Sequence, residues 1–125
     1  MRITIAYNLR TDDSEKTAEL LSREDVDRLV GAMSSLGHTV TDVEVSGKPN
    51  DIVDRLLASE PDLIFNVAEG SIGSSREAFY PGLYEQLGIP FTGGNASLLH
   101  LNQEGGYNTA VLGDCVHRLL SGFMN

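Results

Sequence analysis

The sequence predicts an α/β fold, a doubly wound parallel sheet of about four strands with helices on both faces. Short apolar runs alternate with segments of helical periodicity in the order β-α-β-α-β-α-β over residues 1–94. Because a helix fits between each pair of successive strands, the strands should be parallel and joined by right-handed crossovers. A length of 125 residues provides one hydrophobic core.

Two strands and two helices are predicted before the third strand. Residues 2–7 and 39–45 are rich in β-branched side chains and predict the first and second strands. Between them, residues 22–25 form a capping-box sequence ahead of an apolar stripe, and Gly37 ends that helix. A second, shorter helix is predicted over residues 49–60, between two prolines.

The third strand is a continuous apolar run, residues 63–67, interrupted by one Asn, which is typical of a strand covered on both faces. A loop of small residues, 68–75, follows it. A second capping-box sequence at 74–77 begins a helix that ends at Gly88, and residues 89–94 predict the fourth strand. The predicted core consists of Val26, Leu29, Val30, Met33, Ile52, Val53, Leu56, Ile64, Phe65, Val67 and Leu87.

The organisation changes near the C-terminus. Residues 1–101 follow the α/β pattern, whereas residues 102–125 form an atypical tail in which 109–120 could form one helix. The single cysteine, Cys115, excludes an internal disulfide and a zinc site built from several thiolates. His117 lies two residues away, but no further ligand is nearby, so no metal site is predicted.

Charge and hydropathy exclude several partners. The net charge of −9 and the absence of a basic cluster argue against nucleic-acid binding. No stretch approaches the roughly 18 to 20 apolar residues of a membrane span, so no membrane partner is expected. The N-terminus lacks the apolar run of a signal peptide, which predicts a cytoplasmic protein.

Candidate binding residues follow the third predicted strand. If the first strand lies between the second and third, ligands should bind beside loops 8–14 and 68–75. Gly70 permits close backbone approach, while Arg76 and the neighbouring helix N-terminus suit a carboxylate or phosphate. Glu69 suits a cationic group. The alternative is that Glu69 and Arg76 pair with each other, or with solvent, and only pin the loop.

The motifs that carry the resemblance to a known family lie around the third strand. They are DLIFNVAEG at residues 62–70, REA at 76–78, Pro81, and LGIPFTGG at 87–94. Together they resemble the N-terminal, Rossmann-like pre-ATP-grasp domain of D-alanine–D-alanine ligases and related ATP-grasp enzymes. The resemblance covers residues 1–101.

This resemblance implies a function in carboxylate–amine ligation. Such enzymes use ATP and magnesium to activate a carboxylate as an acyl phosphate, which an amine then attacks. Their N-terminal domain helps to enclose an amino-acid or peptide substrate, and its third-strand loop faces the active site. By position, Glu69, Gly70 and Arg76 would bind substrate, and no catalytic residue is assigned to this chain.

Two departures qualify the implied function. D-Alanine-type ligases carry a His-Gly-rich acidic sequence where this chain has residues 66–70, which leaves the product open. Family members also continue past Gly94 into a different helix and two further domains. The chain is therefore expected to be truncated and catalytically incomplete, binding neither ATP nor magnesium alone. Its partner would be the missing ATP-grasp domains or a second copy in a homodimer. The alternative is a stand-alone α/β module that binds a small ligand or a partner.

Overall fold

The computed structural model describes residues 1–10, 20–70 and 76–95. These residues form an α/β fold with a three-stranded parallel sheet and three helices. The chain divides into two compact units, Met1–Glu69 and the chain from Gly70 onward. The elements, in chain order, are β1 (Arg2–Tyr7), α1 (Arg23–Ser35), β2 (Thr39–Glu44), α2 (Pro49–Ala58), β3 (Leu63–Asn66) and α3 (Arg76–Leu87).

The first strand is the centre of the sheet. The strand order is β2-β1-β3, and both pairings are parallel. Ile3, near the start of β1, lies opposite Val40 on one side and Leu63 on the other. The first strand therefore lies between the second and third, which is the order on which the expected ligand position depends. Residues Ile3–Ala6 of β1 have a paired strand on each side.

The two faces of the central strand have different neighbours. Ile5 and Tyr7 point to one face, where they form a buried cluster with Val26 of α1. Thr4, which points to the opposite face, shares a 2.7 Å hydrogen bond with the hydroxyl of Ser59, just after α2. Partly buried side chains extend the first cluster: Leu9, Leu21, Leu29, Val30, Met33, Val40, Phe65 and Val67.

The first helix begins at the predicted capping box. The Ser22 side chain accepts a hydrogen bond from the backbone N–H of Asp25, and the Asp25 carboxylate accepts from the Ser22 backbone N–H and hydroxyl. These bonds lower the pKa of Asp25 below its usual range, since they stabilise the ionised carboxylate. Gly37 follows the helix with a φ of 92°, so the predicted end of the helix is confirmed.

The predicted fourth strand is wrong. Residues 89–94 contain only an isolated bridge residue, Phe91, so the sheet has three strands in the described part of the chain. The prediction of a four-stranded, doubly wound sheet fails with it. Pro90 has no N–H for a ladder, and Gly93 leaves the extended region with a φ of 100°, so few consecutive residues can pair. The ring of Phe91 instead lies 5.5 Å from that of Tyr84.

The third helix ends as the sequence predicts. Gly88 has a φ of 70°, its N–H donates to the carbonyl of Glu85, and the N–H of Ile89 donates to the carbonyl of Tyr84. This is the Schellman arrangement that a glycine after a helix favours. The second capping box at 74–77 falls partly outside the described residues, and the 109–120 helix and the tail boundary at 101/102 lie wholly outside them.

The predicted core is confirmed in part. Four of its side chains are fully buried, namely Val26, Ile52, Leu56 and Ile64. The others are only partly buried, namely Leu29, Val30, Met33, Val53, Phe65, Val67 and Leu87. Within the described ranges, no helix is long and apolar enough to cross a membrane.

We predict that Ile5→Ala strongly destabilises the chain. Ile5 is 0% exposed in the middle of the central strand, so its truncation leaves a cavity and costs about 2–5 kcal/mol. Leu36→Ala is the control, because Leu36 is 76% exposed and its loss should change stability by no more than about 0.5 kcal/mol. Denaturant unfolding followed by circular dichroism measures both. A loss below about 1 kcal/mol for Ile5→Ala contradicts the packing described here.

We also predict a loss of stability at alkaline pH that depends on Tyr84. Burial, and to a smaller extent the nearby Tyr80, raises the pKa of Tyr84 well above its ordinary value of 10.0. A group whose pKa is raised by folding stabilises the fold fully below its unfolded pKa, and this stabilisation is lost as pH rises further. Tyr84→Phe should therefore reduce the slope of unfolding free energy against pH between about 10 and 12, by up to about 1.4 kcal/mol per unit. An unchanged slope would show that Tyr84 ionises freely in the folded chain.

Candidate functional site

The candidate site lies where the three parallel strands end. β1, β2 and β3 end at Tyr7, Glu44 and Asn66, and all three run in the same direction. The loops that follow them therefore leave the sheet at one edge. This carboxyl edge is where open parallel sheets bind ligands, and it is the edge that the sequence predicts for the site.

Asn8, directly after β1, connects the two neighbouring loops. It is 4% exposed. Its Oδ1 accepts a 2.7 Å hydrogen bond from the backbone N–H of Glu69, after β3, and its Nδ2 donates at 3.0 Å to the hydroxyl of Ser46, after β2. The buried side-chain amide of Asn8 thus binds the loop after β3 through a backbone N–H and the loop after β2 through a hydroxyl.

The carboxylate of Glu44, at the end of β2, accepts hydrogen bonds from the loops after β1 and β2. Its Oε1 accepts hydrogen bonds from the backbone N–H of Leu9 at 3.2 Å and from the Ser46 hydroxyl at 2.6 Å. The backbone N–H of Ser46 also donates to this carboxylate. Arg55, in α2, donates hydrogen bonds to the backbone carbonyls of Glu44 and Ser46 at 3.1 and 2.9 Å. These bonds connect α2 to the backbone at the end of β2.

The first-strand loop is closed at its base. The N–H of Arg10 donates to the carbonyl of Leu21 at 2.7 Å, and the N–H of Leu21 donates to the carbonyl of Asn8 at 3.3 Å. Asn8, Leu9 and Arg10 of the predicted 8–14 loop are thereby placed, whereas residues 11–14 lie outside the described residues.

Glu69 is the last residue of the first unit and is partly buried. Its backbone is held by Asn8, as described above. The structure therefore places this candidate residue at the carboxyl edge of the sheet, as the sequence predicts. Residues 71–75 of the same predicted loop lie outside the described residues.

Gly70 and Arg76 belong to the second unit, where they are close neighbours. Gly70 has a φ of 69°, and a Cβ added to it would lie 2.8 Å from the carbonyl oxygen of Arg76 and 3.1 Å from a ring carbon of Tyr80. The close approach that requires glycine here is thus made by the backbone of α3. Arg76 is exposed at the first residue of that helix.

A second polar cluster, Tyr7, Arg23 and Asp42, lies on the α1 face of the sheet. The Tyr7 hydroxyl donates to Asp42 at 3.0 Å, and Arg23 donates to both, at 2.9 Å to Tyr7 and 3.0 Å to Asp42. Burial raises the pKa of Tyr7, and the nearby Asp42 carboxylate raises it further. Because the Arg23 guanidinium also lies over the Tyr7 ring, this cluster fastens the start of α1 to the sheet.

Sequence reasoning missed Glu44 and Ser46 as site-forming residues, and it identified Asn8 only as the start of loop 8–14. The available signal was their position, since each is polar and lies at or just after the carboxyl end of a strand. In residues 1–10, 20–70 and 76–95, no three His, Cys, Asp or Glu side chains are arranged as a metal site. Cys115 and His117 lie outside those ranges.

The curated proteins that are similar to this chain include several named D-alanine–D-alanine ligase. The Gluconobacter oxydans protein is 31% identical over 88 residues, which make up 70% of this chain and 27% of that protein. The proteins of Rickettsia massiliae and Novosphingobium aromaticivorans are 33% and 32% identical over 79 residues, 63% of this chain in each case. Over this span the chain is ligase-like.

The similarity is distant and covers only part of each ligase. The chain spans about a quarter of the length of the curated relatives that it matches. No protein-family model matches the chain. The expected relationship to ligases is therefore supported by sequence similarity over about two thirds of the chain.

We predict that Gly70→Ala destabilises the chain more than Gly88→Ala does. The two glycines have nearly the same φ, 69° and 70°, but a Cβ at Gly88 meets nothing within 4 Å. The backbone strain is thus matched, and only Gly70→Ala adds a clash with the Arg76 carbonyl. Denaturant unfolding should show an excess loss of about 1–3 kcal/mol for Gly70→Ala. Equal losses would mean that the turn after Glu69 is looser than described.

Proposed function

We propose that this chain is the substrate-side, N-terminal pre-ATP-grasp domain of an ATP-dependent carboxylate–amine ligase. The observation that carries the proposal is the similarity to D-alanine–D-alanine ligases over 63–70% of the chain. The parallel α/β architecture supports it, because such a sheet presents its loops to a ligand at one edge. The chain would act in the cytoplasm and would be catalytically incomplete without ATP-binding domains.

The proposed substrate is an amino acid or a peptide. Glu69 would bind its ammonium group, since a carboxylate accepts strong hydrogen bonds from a cation. Arg76 would bind its carboxylate, for which the planar guanidinium offers two parallel donors. The hydrogen bond from the Glu69 backbone to Asn8 supports this role, because it fixes the residue that has to hold the ligand. Gly70 would permit close approach of the substrate to the backbone.

ATP and magnesium would be bound by the remaining part of the enzyme, where they would activate a substrate carboxylate as an acyl phosphate for attack by an amine. This chain would contribute binding and orientation only. Its partner would be those ATP-grasp domains, or a second copy of the chain in a homodimer. A single domain offers a small ligand only part of a pocket, so affinity for the substrate should be weak until the partner encloses it.

The proposal predicts ligase activity when the missing part is supplied. The full chain would be combined with the portion of the Gluconobacter oxydans ligase that it does not match, and amino-acid-dependent phosphate release from ATP would be measured. Glu69→Gln and Arg76→Ala should each raise the KM for the amino acid by about 10- to 100-fold, the loss expected for a charged hydrogen bond. The controls are Glu85→Gln and Arg28→Ala, because both side chains are exposed on helix surfaces.

Two results would contradict the proposal in different ways. If activity appears and neither Glu69→Gln nor Arg76→Ala changes it, these residues only stabilise the loop. If the two parts bind each other and no activity appears, a stand-alone binding module becomes the better description of the chain.

A further inference from the structure

The hydrogen bonds at the carboxyl edge have a direction that the chemistry of their groups fixes. The backbone N–H of Glu69 can only donate, so the Asn8 atom that faces it has to be the oxygen. The Nδ2 of Asn8 then faces Ser46, whose hydroxyl has to accept there. The single hydroxyl hydrogen of Ser46 is left for Glu44, which it reaches at 2.6 Å.

These three hydrogen bonds connect the loop after β3 to the end of β2, and so join the two outer strands of the sheet. Neighbouring strands lie about 4.8 Å apart, so β2 and β3 are separated by about 10 Å, too far for most direct contacts between their loops. Asn8 leaves the central strand between them and reaches both. Since it is 4% exposed, breaking either bond would leave a buried polar group without that partner, and water cannot readily replace it.

We infer that Asn8 is a positioning residue of the substrate site: its buried amide fixes the backbone of Glu69 relative to the end of β2, by way of Ser46 and the Glu44 carboxylate. Asn8 would not contact the substrate. It would act through Glu69, and this part of the inference rests on the proposed function. The hydrogen bond between Asn8 and Glu69 does not depend on the proposed function.

Four variants distinguish the effects of the two hydrogen bonds that the Asn8 side chain makes. Asn8→Ala removes both bonds. Asn8→Asp retains an acceptor for the Glu69 N–H but loses the donor to Ser46, and its carboxylate competes with Glu44 for the Ser46 hydroxyl hydrogen. Ser46→Ala removes the β2 link and leaves the Glu69 link in place. Asn50→Ala is the control, since Asn50 is an exposed amide on the surface of α2.

The first readout is amide hydrogen exchange at Glu69 in the full chain, compared with exchange at Ile5 in the middle of β1. Asn8→Ala should accelerate exchange at Glu69 by about tenfold or more beyond any change at Ile5, whereas Asn8→Asp and Ser46→Ala should preserve more of the Glu69 protection. Equal acceleration at Glu69 and Ile5 would show that Asn8 only stabilises the whole fold, and it would overturn the inference.

The second readout is kinetic, in the two-part ligase assay. Asn8→Ala should raise the KM for the amino acid by about tenfold and change kcat by less than about threefold, as expected when only substrate positioning is lost. If Glu69→Gln raises KM and Asn8→Ala does not, Asn8 is not a positioning residue and the proposed function stands. If activity appears but Glu69→Gln has no effect, the proposed role of Glu69 in binding fails. If the two parts bind each other and no activity appears, the proposed function fails. In both cases hydrogen exchange alone decides whether Asn8 fixes Glu69.

Discussion

The structure of the first unit depends on the pairing of β1 with a strand on each side. Ile5 is buried at its centre, and Asn8 is buried directly after its end. Because β2 and β3 do not pair with each other, β1 is the element through which the position of one outer strand constrains the other. Apolar packing fixes the two faces of the sheet, and hydrogen bonds from Asn8 extend that order into the loops. Loops that carry candidate binding residues thereby gain a rigid base.

Local chemistry explains which elements the sequence could predict. The capping box at Ser22 and the glycine stop at Gly88 each involve residues within six positions of one another, so both can be read from the sequence. A strand at 89–94 would have required a pairing partner, and pairing is set by tertiary structure. The local signal against a strand was Pro90, which has no backbone N–H to donate to a neighbouring strand. Apolar helix positions such as Leu29 and Met33 were predicted correctly as the packed side, but they remain partly exposed.

In the candidate site, too, features set by nearby residues could be predicted, whereas features set by tertiary structure could not. Placing Glu69 at the carboxyl edge required only that residues 63–67 form a strand. The reason for Gly70 could not be read from the sequence, because the group that approaches it is the Arg76 carbonyl of its own unit. Asn8 contacts residues 38 and 61 positions away, so its role follows from the strand order and register. Whether Glu69 and Arg76 bind an amino acid remains the proposal that the ligase assay tests.

The hydrogen bond by which Asn8 fixes the backbone of Glu69 can be measured without any substitution. A scalar coupling across a hydrogen bond joins the amide nitrogen of a donor to the carbonyl carbon of its acceptor. In the isotope-labelled full chain, we predict a correlation between the backbone nitrogen of Glu69 and the side-chain carbonyl carbon of Asn8. Absence of that correlation, together with unprotected exchange at the Glu69 amide, would show that Asn8 does not fix the backbone of Glu69.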